Sequence, residues 1–232
     1  MESTEYIKNL FKSKLLNEKF VTDRNGGKTI EIIGASFIAD KPAIFGEPNQ
    51  KYIHAEIEWY LSGITNINHI KYKDEPPKAW QGAANEYGEI NSNYGTLIFG
   101  DSYFRQFENV VNELVWNPDT RRACMVYNRP SIWSEFNEQG KNDFICTNAV
   151  TYYLREGKIN CVVQMRSNDV VFGYKNDYAW QKYVLEEVTK QYNNEYLSNA
   201  ADADYRAEMQ VGDIMWQVQN LHVYERHFDL VR

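Results

Sequence analysis

The sequence predicts an α+β fold, and three observations lead to this prediction. Several segments space their apolar residues as helices do, and others are rich in the β-branched and aromatic residues that favour strands. No internal repeat, low-complexity tract or convincing linker divides the chain. We therefore expect residues 1–232 to form a single α+β domain.

The predicted helices begin with one near the N-terminus, which has an apolar face and a capping residue, Ser3 or Thr4, ahead of it. That apolar face consists of Tyr6, Ile7, Leu10, Phe11 and Leu15. The other predicted helices are YIHAEIEWYLS (52–62), SYFRQFENVVNELVW (102–116) and DYAWQKYVLEEVTKQYNNEY (177–196).

The predicted strands include a hairpin, because the turn residues EGK (156–158) separate two apolar runs. We expect strands at TIEIIGASFIA (29–39), ACMVY (123–127), FICTNAVTYYL (144–154), INCVVQMR (159–166) and VGDIMWQVQNLHVY (211–224). The stretch DVVF (169–172) is also strand-like. Residues 65–95 are predicted to be irregular, and the polar insert SNAADADYRAE (198–208) to be a solvated surface loop.

Composition limits the classes of function. The net charge of −7 argues against nonspecific binding to nucleic acid or to an anionic membrane, so an anionic substrate requires a local cluster of arginines. The three cysteines form no CxxC pair, which favours a reduced, intracellular compartment. The N-terminus lacks an apolar signal core, and no apolar run is long enough to predict a membrane span.

Two motifs suggest phosphate binding. NGGKT (25–29) resembles the end of a nucleotide phosphate loop, but the required earlier glycine is replaced by Thr22 and a strand follows, so we reject that motif. Arg121 and Arg122 precede a predicted strand and, taken alone, are most simply solvated. Their guanidinium groups would also suit phosphate oxygens, with Arg24 and the Arg166–Ser167 pair as further candidates.

Cys146 is the cysteine most suited to nucleophilic chemistry. A lone strand cysteine is usually an inert apolar residue, as Cys124 and Cys161 look, but polar residues flank Cys146 on both sides. Nearby arginines would lower the pKa of its thiol. His222 and Tyr224 alternate along a predicted strand and share a face, either as a packed pair or as a clamp on a sugar hydroxyl. The histidines and cysteines show no metal-ligand spacing, so we predict no metal.

The acidic residues around DVVF raise a question, because Asp169 and Asp177 are either solvated turn residues or half of an active site. Seven motifs in order resemble the thymidylate synthase family, and most closely its branch of deoxycytidylate (dCMP) hydroxymethylases, which bacterial viruses encode. These motifs are KTIEIIGASF, EIEWYL, GEINSNYG, NPDTRR, DFICTN, MRSNDVVFGYKNDYAWQKYV and LHVYERHF.

The resemblance implies a thymidylate synthase-like fold, with a mixed β-sheet flanked by helices and a homodimer packed through the sheets. It implies that dCMP and 5,10-methylenetetrahydrofolate are the substrates, with no nucleic-acid or membrane partner. A virus-encoded enzyme of this kind is expected in the host cytoplasm.

The resemblance also assigns roles to individual residues. Cys146 matches the nucleophile that adds to C6 of the pyrimidine, and Glu56 matches the acidic residue that organises water and relays protons. Arg121 and Arg122 match arginines that reach across from the partner subunit. The remaining matches are Arg24, Arg166 and Ser167 for the phosphate; His222 and Tyr224 for the sugar 3′-hydroxyl; Asn168 and Tyr94 for the nucleotide; and Trp80, Asp169, Phe172 and Gly173 for the folate side.

Asp177 stands where synthases acting on uracil usually have Asn. An amide pairs with both N3–H and O4 of uracil, whereas a carboxylate accepts from the N4 amino group of cytosine. If the carboxyl or N3 is protonated, a second hydrogen bond forms. We therefore expect Asp177 to select cytosine and to share in catalysis.

Two departures from the family pattern affect the expected mechanism. Ile145 replaces the proline that often precedes the nucleophile. The chain ends at LVR, whereas synthases have a longer C-terminal segment that closes over the folate. A site that excludes water less completely is compatible with water as the final nucleophile.

The favoured function is therefore dCMP hydroxymethylase, a folate-dependent hydroxymethyltransferase. A methyl-forming synthase and a hydroxymethylase acting on CMP are the enzymatic alternatives. Asp177 bears only on the base, so it distinguishes neither a methyl from a hydroxymethyl product nor a deoxyribose from a ribose sugar. A catalytically silent nucleotide-binding protein on the same scaffold is the alternative from a different class.

Overall fold

A computed structural model of the protein describes residues 2–23, 26–198 and 208–232. Arg24 and most of the 198–208 insert lie outside the described residues. The strands are β1 (Val21–Thr22), β2 (Lys28–Ile38), β3 (Cys124–Val126), β4 (Thr147–Arg155), β5 (Lys158–Asp169) and β6 (Gln210–Tyr224). The α-helices are α1 (Thr4–Leu16), α2 (Gln50–Ser62), α3 (Lys78–Gln81), α4 (Tyr94–Phe99), α5 (Gln106–Trp116), α6 (Ile132–Glu135) and α7 (Gly173–Ser198).

The strands form one six-stranded mixed sheet in the order β1-β2-β6-β5-β4-β3. The β4–β5 pair is the expected antiparallel hairpin, whereas β5 and β6 run parallel. A parallel pair needs a crossover connection, and α7 lies between these two strands in the chain. The carboxyl ends of β5 and β6 therefore meet at one edge, with Asp169 beside His222.

Helices cover one face of this sheet. On β5, Ile159, Cys161, Val163 and Met165 are buried and alternate with more exposed residues such as Gln164. The buried side of α7, with Trp180, Val184 and Val188, belongs to the same apolar core. The alternation on β5 is typical of a sheet with one packed face and one open face. Ile33 on β2 is 69% exposed.

Most predicted elements are confirmed, including the helix capped by Ser3, whose side chain accepts from the Tyr6 amide. The predicted helix 102–116 is correct only from Gln106 onward. Phe104 and Arg105 both have positive φ, which separates α5 from a short 3₁₀ turn at Asp101–Tyr103.

Two strand predictions near the suspected site are wrong in their limits. The strand predicted at 144–154 begins at Thr147, so Cys146 precedes the strand rather than lying within it. The strand-like run 169–172 is not a strand, because β5 ends at Asp169 and α7 begins at Gly173. Within the described ranges, no helix combines the length and apolar character needed to cross a bilayer.

Close packing of α4 on α2 depends on Gly95. A Cβ atom at this position would lie 1.9 Å from the backbone oxygen of Tyr60, which cannot move without displacing α2. We expect Gly95→Ala to lower the free energy of unfolding by about 3 kcal/mol in urea denaturation, because overpacking forces the backbone to shift. Gly82→Ala is the matched control, since its Cβ would meet nothing closer than 3.7 Å. Equal stabilities of the two variants would contradict this account of the packing.

Candidate active site

Cys146 lies in a short connection that Arg166 holds in place. The Arg166 amide donates to the Cys146 carbonyl at 2.9 Å, and its guanidinium donates to the Ile145 carbonyl at 2.9 Å and the Phe144 carbonyl at 2.5 Å. The same Nη2 atom is 3.4 Å from the Cys146 sulfur. Because Arg166 takes up the carbonyls of residues 144 and 145, β4 begins only after the cysteine.

Burial dominates the ionisation of Cys146. Desolvation raises the pKa of the thiol to about 11, and the Arg166 charge lowers it by less than burial raises it. Asp177 and Asp143 raise this pKa further. The expectation that nearby arginines give this cysteine a lowered pKa is therefore wrong for the chain without ligand. The cation is in place, but two carboxylates and burial outweigh it.

Asp143 fixes the other side of this connection. Its carboxylate is buried and accepts from the amides of Asn91 and Ser92 at 2.6 and 2.7 Å and from the Ser92 hydroxyl at 2.7 Å. Asn93, one residue further on, caps α4 by accepting from the Thr96 amide. The Cys146 connection is thereby tied to the start of α4.

Asp169 terminates β5 and starts α7. Its Oδ1 accepts from the amides of Val171, Phe172 and Gly173 at 3.0, 2.6 and 3.3 Å, which satisfies donors that the first turn of a helix leaves free. This capping explains why DVVF is a turn instead of a strand. Oδ2 of Asp169 is buried, accepts no hydrogen bond and lies 3.8 Å from Nδ1 of His227.

Asp177 lies on the second turn of α7 and is paired with Asn168. The Asn168 amide donates to Oδ2 of Asp177 at 2.7 Å. Burial and then the charge of Glu56 raise the pKa of Asp177 to about 8, while the Asn168 bond opposes that rise. Gly173 leaves room for the pair, since a Cβ there would lie 3.2 Å from Nδ2 of Asn168. Neither Asp169 nor Asp177 is therefore a solvated turn residue.

Glu56 is buried on α2 and accepts two hydrogen bonds on a single oxygen. Tyr52 donates its hydroxyl proton to Oε1, and the Trp80 indole N–H donates to the same atom at 2.9 Å. Burial raises the pKa of Glu56, and the bonds from Tyr52 and Trp80 oppose that rise. Trp80, expected on the folate side, thus contacts Glu56 directly.

Tyr94 is buried at the first position of α4. Its ring stacks on Tyr60 at 5.3 Å and meets Tyr127 edge-on at 5.2 Å. Burial, followed by Asp177 and Cys146, raises its pKa. The Tyr94 hydroxyl therefore lies within electrostatic reach of both Asp177 and Cys146.

His222 and Tyr224 share one face of β6, with their rings 4.8 Å apart. The parallel register sets Ser167 beside Asn220 and Asp169 beside His222. Burial lowers the pKa of His222, which favours the neutral imidazole at neutral pH. Phe172, at the start of α7, is 49% exposed and meets His227 edge-on at 4.9 Å.

Arg121 and Arg122 lie away from this group. Both are exposed, and Arg122 donates to Glu113 at 2.8 Å. They precede β3, whose first residue pairs with Thr151, in the middle of β4, whereas Cys146 lies before β4 begins. At about 3.3 Å per strand residue, these arginines lie more than ~15 Å from the cysteine of their own chain. Arg24 lies outside the described residues.

Sequence reasoning missed Tyr52 and the anchoring role of Asp143. Tyr52 precedes Glu56 by one helical turn on α2, so the i, i+4 spacing could have indicated a contact. The bonds of Asp143 join segments that are about fifty residues apart in the chain, and no local pattern reports them. Among the described residues, no group of three or more His, Cys, Asp or Glu is placed to hold a metal ion.

Comparison with known proteins identifies the family of the chain. Residues 6–232 match the family model described as thymidylate synthase. The chain is 50% identical over 217 residues to a deoxycytidylate 5-hydroxymethyltransferase of Enterobacteria phage T4, covering 93% of this chain and 84% of that protein. The phage T2 protein of the same name gives the same identity and coverage. A thymidylate synthase of Buchnera aphidicola is 25% identical, covering 98% of this chain and 81% of that protein.

The chain belongs to the thymidylate synthase family, since the family model spans nearly all of it. The α+β architecture with a mixed sheet flanked by helices agrees with that membership.

The raised pKa of Asp177 predicts a specific dependence of stability on pH. Folding moves this pKa from 3.8 to about 8, so the folded chain holds a proton that the unfolded chain has lost. The contribution of this group to the free energy of unfolding therefore falls as pH rises through that window. An asparagine at this position does not titrate, so the Asp177→Asn variant should not show this fall in the free energy of unfolding. The free energy of unfolding of the variant minus that of the unmodified chain should therefore rise with pH and level off above about pH 8.

Urea unfolding of both proteins across this pH window measures the difference. Asp74→Asn, the same change at an exposed position, is the control and should give a difference that does not vary with pH. A flat difference for Asp177→Asn would show that Asp177 is already ionised in the folded protein.

Proposed function

We propose that this protein transfers a one-carbon unit from 5,10-methylenetetrahydrofolate to C5 of dCMP and adds water, giving 5-hydroxymethyl-dCMP and tetrahydrofolate. The single observation that carries the proposal is the 50% identity to deoxycytidylate 5-hydroxymethyltransferases across 93% of the chain. Those relatives are phage proteins, and we infer that this enzyme also works in the cytoplasm of a host cell.

Asp177 is the residue we assign to recognition of cytosine. Its Oδ2 is held by the Asn168 amide, and a carboxyl with a pKa of about 8 keeps its proton at neutral pH. A protonated carboxyl donates to N3 of cytosine and accepts from the N4 amino group, whereas uracil presents the opposite pattern. A mismatched polar edge leaves buried groups unpaired, which supports strong discrimination.

Cys146 is the proposed covalent nucleophile. Addition of its thiolate to C6 makes C5 an electron-rich carbon that attacks the one-carbon unit, and C5 then loses its proton. The two carbon–nitrogen bonds that hold this carbon in the folate break in turn, one as C5 attacks and the other as C5 gives its proton to solvent, which leaves an exocyclic methylene group on the base. Water adds to that methylene carbon, and the electrons move through the ring to expel Cys146 as thiolate. Glu56 takes the proton from the water, acting as a general base.

The cysteine must ionise for this chemistry, although its pKa is raised to about 11 in the chain without ligand. Arg166 lies 3.4 Å from the sulfur and supplies a positive charge that favours the thiolate. A protonated Asp177 removes one of the two charges that raise this pKa. Arg166 therefore serves both the thiolate and, with Ser167 and Arg24, the phosphate.

The folate side is assigned to the surface beside Asp177 and Glu56. The partly exposed rings of Trp80 and Phe172 offer flat apolar faces, and Asp169 presents a buried oxygen that accepts no hydrogen bond. These features suit a pterin, which is flat and carries N–H donors. When bound, the folate supplies an activated one-carbon unit. His222 and Tyr224 are assigned to the sugar 3′-hydroxyl.

We also propose that the enzyme is a homodimer packed through the open faces of two sheets. Arg121 and Arg122 are exposed and far from the cysteine of their own chain, which suits residues that complete the phosphate site of a partner. A two-fold axis makes each chain both donor and recipient of the arginines.

The product distinguishes this function from its alternatives. Incubating the protein with methylenetetrahydrofolate and dCMP, dUMP or CMP should add CH₂O to dCMP, with little reaction of the others, by mass spectrometry of the nucleotide. Addition of CH₂ with formation of dihydrofolate would mean that hydride ends the reaction, as in a methyl-forming synthase. Preference for CMP would assign the ribonucleotide, and no product with any nucleotide would favour the silent scaffold.

Asp177→Asn should shift the preference from dCMP toward dUMP. An amide at this position pairs with both N3–H and O4 of uracil, and unlike Asp177 it offers no negative charge to a protonated N3 of cytosine. We expect the ratio of kcat/KM for dCMP to that for dUMP to fall by at least about 100-fold. Asn176→Asp is the neighbouring control and should leave the ratio unchanged. An unaltered ratio in Asp177→Asn would remove Asp177 from recognition.

Sharing of arginines across a dimer predicts complementation between inactive variants. Cys146→Ser should abolish turnover but keep some nucleotide binding, and the double variant Arg121→Ala, Arg122→Ala should also be inactive. After unfolding and refolding as an equal mixture, random pairing in a two-fold dimer restores about one quarter of the sites. Cys146→Ser refolded with the same protein is the control. No recovered activity would contradict shared sites.

A further inference from the structure

Tyr52 belongs to the active site through a hydrogen-bond chain. It lies four residues before Glu56 on α2, so both side chains project from the same face of the helix. The Tyr52 hydroxyl donates to Oε1 of Glu56, and the Trp80 indole N–H lies 3.0 Å from the Tyr52 oxygen and 2.9 Å from Oε1 of Glu56. The three polar groups therefore form a closed triangle.

The donors in this triangle determine where each proton lies. An indole nitrogen can only donate, so the Tyr52 oxygen accepts the indole hydrogen. The single hydroxyl hydrogen of Tyr52 is then left for the carboxylate of Glu56. A Glu56 that carried its own proton on Oε1 would face two donors on that oxygen. The triangle is therefore complete only with an unprotonated Oε1.

The Tyr52 ring is itself fixed from two directions. The side chain of Asn49 caps α2 by accepting from the Tyr52 amide at 3.1 Å, which fixes the first turn of the helix. The amide of the same Asn49 donates to the Tyr72 hydroxyl at 2.7 Å, and the Tyr72 ring packs edge-on against Tyr52 at 5.2 Å. This support keeps the hydroxyl in place without help from a ligand.

We propose that Tyr52 is a positioning residue for Glu56, whose Oε1 it holds by a hydrogen bond so that the carboxylate stays ionised and oriented for the addition of water. This inference rests on the proposed function, because it concerns the residue assigned as general base. It adds to that function a residue that no motif indicated and that need not touch either substrate.

The groups around Glu56 determine how strongly the hydrogen bond from Tyr52 affects the protonation of this carboxyl. The titratable groups facing Glu56 are Tyr52 and Tyr60 on its own helix and Asp177 on α7, and α3 contributes the neutral indole of Trp80. Burial raises the pKa of Glu56, and Tyr52 is the first group that opposes it. Without that bond, burial favours a protonated Glu56, which cannot take a proton from water.

Tyr52→Phe tests the proposal by removing one oxygen while keeping the ring. Loss of a hydrogen bond to a carboxylate should move the acid limb of the kcat–pH profile to higher pH by about one unit. KM for dCMP should change little, because Tyr52 acts through Glu56 and not on the nucleotide. Tyr72→Phe is the matched control, since it keeps the ring that packs on Tyr52 and the Asn49 cap, and removes only a hydroxyl that makes no bond to Tyr52 or Glu56.

A second measurement does not depend on the reaction. Carbon-13 NMR of protein labelled at the glutamate carboxyl carbon, with Glu56→Gln to assign the signal, follows the ionisation of Glu56 without substrates. Its midpoint should move upward in Tyr52→Phe and stay in place in Tyr72→Phe. Unchanged midpoints in both variants, with an unchanged acid limb, would overturn the proposal. If the unmodified enzyme forms no 5-hydroxymethyl product, the proposed function fails, while the NMR midpoints still decide whether Tyr52 controls Glu56.

Discussion

Two carboxyl groups, the buried Glu56 and the half-buried Asp177, lie near each other where α2 and α7 approach, and the site is organised around this constraint. Burying a carboxylate is costly unless hydrogen bonds compensate, and a neighbouring carboxylate adds to the cost. Each therefore has dedicated donors: Tyr52 and Trp80 for Glu56, and Asn168 for Asp177. The two carboxyl groups consequently differ in protonation. Asp177 retains its proton, whereas the donors around Glu56 favour its ionised form. One residue is then suited to read cytosine and the other to accept a proton.

The backbone around these groups serves the same purpose. Asp169 ends β5 and starts α7, which sets Asp177 on the second turn of the helix beside Asn168. Gly173 has no side chain, so nothing pushes into the space that the Asn168–Asp177 pair occupies. Arg166 and Asp143 hold the two sides of the Cys146 connection. Rigid elements thus carry the reactive groups, which is the arrangement that efficient positioning requires.

The sheet has one covered face and one open face. One face carries the helices and the core, and the other remains open in a single chain. The two exposed arginines lie near the end of β4 that is away from the cysteine of the same chain. The homodimer we propose would account for both observations, because a partner on the open face would cover the sheet and bring its own arginines to the phosphate.

The sequence by itself determined most of the helices and strands and the order of the family motifs, because periodicity and local motifs are encoded by neighbouring residues. It did not determine where the strands around Cys146 and Asp169 stop. Those limits depend on the guanidinium of Arg166 and on capping by Asp169, and such side-chain bonds compete with the strand ladder. Tertiary structure alone decided that the pKa values of Cys146 and Asp177 rise, and that Tyr52 and Trp80 converge on Glu56. Ionisation depends on burial and on charges brought together from distant parts of the chain, and folding creates both.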